Sequence, residues 1–225
     1  TGVSAMTIRR DLEVLEQEGA IRRIHGGAID LASRGYGAPY SVRSRENTEA
    51  KQRIGRAAAG LLGERETVIL DVGTTTLQVA LALHSHRNLT VITAGLQIAE
   101  ALTRNRDIQL LVTGGIVSPG ELSLVGDMAE EAFSRLRFDT YVMGVGGIDI
   151  DAGVTEFSLE DARVKRAAVA SVRRCIVVAD ASKLGKVTFA QVCSIERVET
   201  VVTDSSASRE DVDALTARNI EVVVV

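Results

Sequence analysis

Aromatic residues make up only 3% of this 225-residue chain, and tryptophan is absent. That scarcity argues against a stacking platform for single-stranded nucleic acid, which relies on aromatic faces. No apolar run is long enough to span a bilayer, so no membrane partner is expected. There are two cysteines, Cys175 and Cys193, and no secretory signal pattern. A disulfide framework is therefore not indicated, and a reduced, cytoplasmic setting is expected. Metal signatures are also lacking. His84-Ser85-His86 has no cysteine nearby, Asp149 and Asp151 lack a fuller calcium-ligand set, and no metal is assigned. Neither a Gly-x-Gly-x-x-Gly helix start after a first strand nor a Walker-type Gly-Lys-Ser/Thr occurs, which argues against dinucleotide and nucleoside triphosphate binding. No cofactor is expected.

What is present is ordinary globular composition: 45% hydrophobic and 25% charged residues. This fits one large domain, or a small module joined to a core domain. The formal charge is -4, unevenly spread. Between Arg22 and Arg53 stand seven basic residues against three acidic ones, and the chain beyond Arg53 is acidic on balance. Such an asymmetry fits a polyanion-facing N-terminal part on an acidic body, or a solvated linker with scattered arginines.

Three stretches organise the chain. In residues 1–29, Ser4 can cap a helix whose apolar positions Ile8, Leu12 and Leu15 recur at helical spacing, with Gly19 as its stop. Residues 20–29 read as a small hairpin around Gly26-Gly27. Residues 30–47, with Gly35, Gly37 and Pro39, read as a linker. From residue 48 to 225, helical stretches alternate with apolar strand candidates at Thr67–Asp71, Leu89–Thr93, Ile108–Thr113, Thr140–Gly144, Cys175–Asp180, Thr200–Thr203 and Ile220–Val225. The expected fold class is α/β: a mostly parallel, Rossmann-like sheet with helices on both faces, preceded by a small helix-and-hairpin module.

With Ile8, Leu12 and Leu15 turned inward, the first helix presents an exposed, basic N-terminal turn. That suits a helix entering a major groove, where arginine pairs with guanine edges and hydroxyls hold phosphates. A solvated helix with charge pairs one turn apart reads equally from the same pattern. In the large domain, Asp71-Val72-Gly73-Thr74-Thr75-Thr76 ends a strand and opens a helix, where open α/β sheets bind ligands. Helix-start amides and three hydroxyls can donate to phosphate oxygens there, although a threonine-capped turn gives the same spacing. Thr113-Gly114-Gly115 and Gly144-Val145-Gly146-Gly147 also follow strands, so three glycine-bearing turns are expected at one sheet edge. Lys183, after Asp180-Ala181-Ser182, can offer an ammonium to a phosphate or sugar oxygen or be a surface lysine. Of Glu156, Glu160 and Asp161, near a lid-like stretch, at least two read as a solvated helix start.

Val3-Ser4-Ala5-Met6-Thr7-Ile8-Arg9-Arg10-Asp11-Leu12, then Leu15-Glu16-Gln17-Glu18-Gly19, then Arg22-Arg23-Ile24-His25-Gly26-Gly27-Ala28, resembles the recognition helix and wing of a DeoR-type bacterial transcriptional regulator. The likeness continues through Arg45 to Arg53, Asp71 to Thr76, Thr113-Gly114-Gly115, Gly144 to Ile148, Val164-Lys165-Arg166 and Asp180 to Gly185. It implies a winged helix-turn-helix, incomplete here because its scaffold helices are expected ahead of Thr1. DNA contacts would come from Ser4, Thr7, Arg9 and Arg10, and wing contacts from Arg22, Arg23 and His25. It also implies an effector domain similar in fold to ribose-5-phosphate isomerase, glucosamine-6-phosphate deaminase and coenzyme A transferases. That domain would bind a phosphorylated sugar or related metabolite through Asp71, Gly73, Thr74, Thr75, Thr76, Thr93, Gly114, Gly115, Gly144, Gly146, Gly147, Glu156 and Lys183. Thr93-Ala94-Gly95 departs from the family's frequent Thr-Asn and removes an amide that would bind a ligand hydroxyl.

The implied partners are double-stranded operator DNA, the metabolite, and further copies of the chain as a dimer or tetramer suited to palindromic half-sites. The implied activity is repression relieved or strengthened by ligand linkage, without catalysis. The competing readings are a sugar-phosphate isomerase or deaminase using the same loop with a carboxylate and a lysine, and a purely structural oligomerisation domain.

Overall fold

The computed structural model describes residues 4–17, 21–24, 27–30 and 37–225. Helix α1 (Ala5–Gln17) begins where the Ser4 hydroxyl accepts from the Thr7 amide at 3.2 Å, which satisfies a helix-start donor that has no intrahelical partner. Strands β1 (Ile21–Ile24) and β2 (Gly27–Asp30) pair antiparallel, with Ile21 opposite Asp30 and Ile24 opposite Gly27. The expected inward stripe of α1 differs from what is seen. Ile8 and Leu15 are exposed and Leu12 is half-buried. The main neighbour of α1 among the described residues is β1, and a four-residue strand is too small to cover a three-turn apolar face.

After Pro39 comes a single turn, α2 (Tyr40–Arg43), then α3 (Thr48–Gly60). The body continues with β3 (Thr67–Leu70), α4 (Thr74–Ala82), β4 (Leu89–Thr93), α5 (Leu96–Leu102) and β5 (Ile108–Val112). A hairpin of β6 (Ile116–Ser118) and β7 (Ser123–Val125) leads to α6 (Asp127–Ser134) and β8 (Phe138–Met143). Next come β9 (Gly147–Asp149), β10 (Gly153–Glu156), α7 (Leu159–Ala170), β11 (Val172–Val178) and β12 (Ala190–Cys193). The chain closes with β13 (Thr200–Thr203), α8 (Arg209–Ala217) and β14 (Glu221–Val224).

Seven strands form one parallel sheet in the order β14-β13-β11-β8-β3-β4-β5. Alternate residues of each strand feed two cores. Ile69, Tyr141, Met143, Cys175, Val177 and Val201 pack on the side of α6, α7 and α8. Val68, Leu70, Val142, Ile176, Val178 and Val202 pack on the side of α3, α4 and α5. This double burial is why the strands read as continuous apolar runs, and each fully buried Ile or Leu stabilises by about 1.5–3 kcal/mol. The short antiparallel sheet β12-β10-β9 and the β6–β7 hairpin lie outside the sequence reading, because strands of three or four residues carrying Gly, Thr and Asp have no periodic signal. No helix among the described residues is long and apolar enough to cross a membrane.

From β3 the chain runs outward through β4 to β5, then returns to place β8 on the other side of β3. The strand order therefore reverses between β3 and β8, and the loops leaving their C-terminal ends diverge to leave a crevice.

Candidate functional site

A cleft of about 90 Å³ opens at this reversal, lined by the loops after β3, β8 and β11, the start of α7, and residues from the segment before α3. The loop after β3 is Asp71-Val72-Gly73, and α4 starts at Thr74. Gly73 has φ +132°, a backbone region L side chains rarely adopt, and after this sharp turn the start of α4 lines the cleft, where its first amides have no intrahelical partner. The three threonines there differ. Thr74 is buried, Thr75 is half-buried, and Thr76 is fully buried with its hydroxyl donating to the Gly73 carbonyl at 3.0 Å. Thr76 closes the turn, so Thr74 and Thr75 are the hydroxyls available to a ligand.

Behind this turn lies a buried charge cluster centred on Lys165 of α7. Its ammonium donates to Asp71 Oδ2 at 2.7 Å, Glu156 Oε2 at 2.8 Å and the Gly144 carbonyl at 2.7 Å. Three donors thus meet three acceptors, from the ends of β3, β8 and β10. Asp71 also accepts from the Gly144 amide at 3.0 Å, and Glu156 Oε1 accepts from the Phe157 amide at 2.9 Å. Burial opposes charge on Lys165, but the two carboxylates overcome it and hold the amine well above its ordinary range. Burial raises Asp71 above the usual carboxylate value despite the neighbouring ammonium. At Glu156 burial pushes the same way, yet Lys165 and the Phe157 amide outweigh it and leave the acid below its ordinary value. Burial, reinforced by the adjacent Asp71, raises the Tyr141 hydroxyl. The cluster ties three loops together and leaves Lys165 no donor for a ligand.

Other cations of the cleft are differently placed. Lys183 is half-buried at the end of a short turn whose Asp180 accepts from the Ser182 amide at 3.1 Å, and its amine makes no hydrogen bond among the described residues. Burial lowers its pKa against the pull of Asp180. Lys51 of α3 is buried and donates to the Glu46 carbonyl at 2.7 Å and to the Arg43 carbonyl, with burial lowering its pKa. Arg43 pairs with Glu121, donates through Nε to the Ala38 carbonyl at 2.8 Å, and lies over the Tyr40 ring.

Of the residues read from the sequence, Gly73, Thr74, Thr75, Thr76, Gly144, Gly146, Glu156 and Lys183 line the cleft, with Asp71 just behind it. The third glycine turn does not join them. Gly114 and Gly115 sit between β5 and β6, with Gly115 against the Val125 carbonyl. Gly147 is also outside the lining; any side chain there would meet the Lys186 carbonyl. Thr93 is fully buried, its hydroxyl accepting from the Gly95 amide at 3.0 Å. The expectation that two of Glu156, Glu160 and Asp161 are solvated is corrected. Only Glu160 is exposed, and Asp161 is buried and accepts from the Ser123 hydroxyl at 2.8 Å. Tertiary packing brings the β6–β7 hairpin onto the start of α7, which local helix-end electrostatics does not anticipate.

On α1, Ser4, Thr7, Arg9 and Arg10 are all exposed. Arg22 and Arg23 fall on β1, described in backbone only, and His25 lies outside the described residues. The sequence reading also passed over Arg43, Lys51 and Lys165 as site residues. Lys165 carried a signal: it stands among Ala162, Val164, Ala168 and Val169 on a largely apolar, buried helix face, where a charge must be paired. Arg43 and Lys51 carried none, since only folding brings them to the cleft.

Comparison with known proteins agrees with this architecture. Residues 46–205 match the DeoR C terminal sensor domain, and residues 1–34 match the DeoR-like helix-turn-helix domain. The chain is 34% identical over 219 residues to the glycerol-3-phosphate regulon repressor of Escherichia coli K12, covering 97% of this chain and 86% of that protein. It is 38% identical over 204 residues to the transcriptional repressor AccR of Agrobacterium fabrum, covering 90% and 79%. Among solved structures, the probable sor operon regulator from Shigella flexneri superposes with a TM-score of 0.51 at 12% identity, over 76% of this chain and 89% of that one. Two adjoining family matches and relatives about a third identical along nearly the whole length make this chain a member of the DeoR family.

Proposed function

We propose that this chain is a DNA-binding repressor whose α/β domain senses a phosphorylated sugar or polyol in the cleft between β3 and β8. The observation that carries the reading is the α4 start, with its first amides and the Thr74 and Thr75 hydroxyls, sharing one cleft with the Lys183 ammonium, none of them hydrogen-bonded among the described residues. The helix-turn-helix match and the repressor names of its relatives support the DNA-binding half. In this reading Ser4, Thr7, Arg9 and Arg10 meet DNA from α1, Arg22, Arg23 and His25 meet it from the wing, and two copies of the module read paired half-sites. The module spans residues 1–29, and residues 48–225 form the effector and oligomerisation domain. The ligand acts by favouring an arrangement that fits the operator differently.

Acid-base chemistry is a poor fit to the same cleft. Asp71 and Glu156 are both committed to Lys165, so neither offers a free carboxylate to a substrate proton. A calorimetric titration with glycerol 3-phosphate, ribose 5-phosphate and their unphosphorylated parents tests the reading. Binding confined to phosphorylated compounds, and lost in T74V/T75V with the fold intact, is expected. Equal binding of both classes, or undiminished binding by the double variant, would remove the loop from the site.

A further inference from the structure

Residues 37–47 run from the end of the helix-turn-helix match at residue 34 to the start of the sensor match at residue 46. They lie against the cleft. Gly37 is so close to the Phe157 ring that an added methyl would stand 2.7 Å from it, and Phe157 follows Glu156 of the charge cluster. At the other end of the segment, buried Lys51 holds the carbonyls of Arg43 and Glu46. Between these two anchors, Arg43 joins the segment to Glu121 at the tip of the β6–β7 hairpin.

We propose that Arg43 is a further anion-binding residue, shared between Glu121 and the ligand, so that filling the cleft unlatches residues 37–47, which lead to the DNA-binding module. The proposal rests on the cleft being the anion site described above. Arg43 lines that cleft together with the α4 start, and among the described residues two of its five N–H donors are engaged, one by Ala38 and one by Glu121. Glu121 has no ion pair other than Arg43 among the described residues, so the latch is a single, partly buried ion pair. A phosphate offers the guanidinium a fork-shaped, doubly bonded alternative. Glu46, Glu121 and Asp180 surround the same cleft, and an entering anion that draws Arg43 inward gains a second counter-charge beside Lys183. When Arg43 leaves Glu121 and Ala38, the α2 turn keeps its own backbone bonds, Val42 and Arg43 to Pro39, Ser44 to Tyr40 and Arg45 to Val42, with Lys51 still on the Arg43 carbonyl and the Thr48 hydroxyl on the Arg45 carbonyl.

Amide hydrogen exchange on the full chain, with inorganic phosphate as the probe, separates this proposal from the one beneath it. In the wild type, phosphate is expected to slow exchange at Thr74–Thr76 and to speed it at residues 42–45. In E121Q the amides of 42–45 are expected to exchange fast before any phosphate is added, with no further acceleration on addition and a several-fold tighter apparent phosphate affinity. Protection at Thr74–Thr76 with residues 42–45 unchanged overturns the latch and leaves the anion site standing. Slow exchange of 42–45 in phosphate-free E121Q also overturns it. No protection at Thr74–Thr76 in the wild type overturns the anion site, and the latch with it.

Discussion

The back wall and the rim of the cleft carry the same kinds of charge in opposite conditions. At the back, Lys165 is buried and every donor is met by Asp71, Glu156 or the Gly144 carbonyl. At the rim, Lys183 has no hydrogen bond among the described residues, and Arg43 is held by the Glu121 carboxylate and the Ala38 carbonyl. A buried cation that is fully paired holds a structure in place, and removing it strands its partners; a half-exposed cation can be taken up by a ligand at small cost to the fold. The back wall therefore sets the geometry, and the rim holds the cations that the proposed ligand would meet. Arg9 and Arg10, on α1, are exposed as well.

The sharpest way to break the comparison is to exchange the two lysines in turn. Lys165→Met leaves Asp71 and Glu156 buried without a counter-ion and should cost about 3–5 kcal/mol in chemical denaturation. Lys183→Met should change stability by about 0.5 kcal/mol or less while weakening sugar-phosphate binding about tenfold or more, the loss of one charged hydrogen bond. Similar denaturation midpoints for the two variants would erase the distinction between wall and rim.

Titration sharpens it next. Glu156 has a folded-state pKa below its ordinary 4.5, so its contribution is complete above that value and is lost as pH falls through the lower folded-state value. At neutral pH, E156Q should be less stable than wild type by about 1–3 kcal/mol, the scale of a buried charged hydrogen bond. The gap should narrow as pH drops below 4.5. A gap that is constant down to strongly acid pH would mean that Glu156 acts only through its shape. The raised Lys165 pKa has the opposite window: its support is complete below 10.5 and is lost only as pH rises above that value. Stability measured from neutral to mildly alkaline pH should show no loss traceable to Lys165.

The smallest effect concerns the exposed arginines. Replacing Arg9 with alanine should leave the denaturation midpoint within about 0.5 kcal/mol of wild type. It should reduce the salt dependence of DNA binding by about one unit of slope if Arg9 meets a phosphate, or relax the preference at one base pair if it meets a guanine. A variant that does neither would place Arg9 outside the DNA contact.

Much of this was legible residue by residue. The seven parallel strands were readable because strands covered on both faces are apolar throughout, and the turn after β3 because glycine and hydroxyl residues there break that run. Ser4 as a cap was readable because capping is local. The inward stripe on α1 was misplaced because periodicity says which face is apolar and not what covers it. Asp161 was misplaced for a related reason: the start of a helix favours acids in water, and only packing brought Ser123 against it.

The sequence by itself determined the fold class, the order of its elements and the glycine-threonine turn after β3, since each follows from spacing, turn chemistry or burial within a few neighbouring residues. The tertiary structure alone decided that Lys165 joins Asp71 and Glu156, that Gly114 and Gly115 stay away from the cleft, and that Arg43 comes to its rim. Those facts depend on which distant segments meet, and a charge is either neutralised or left available only by what the fold brings within a few ångströms of it.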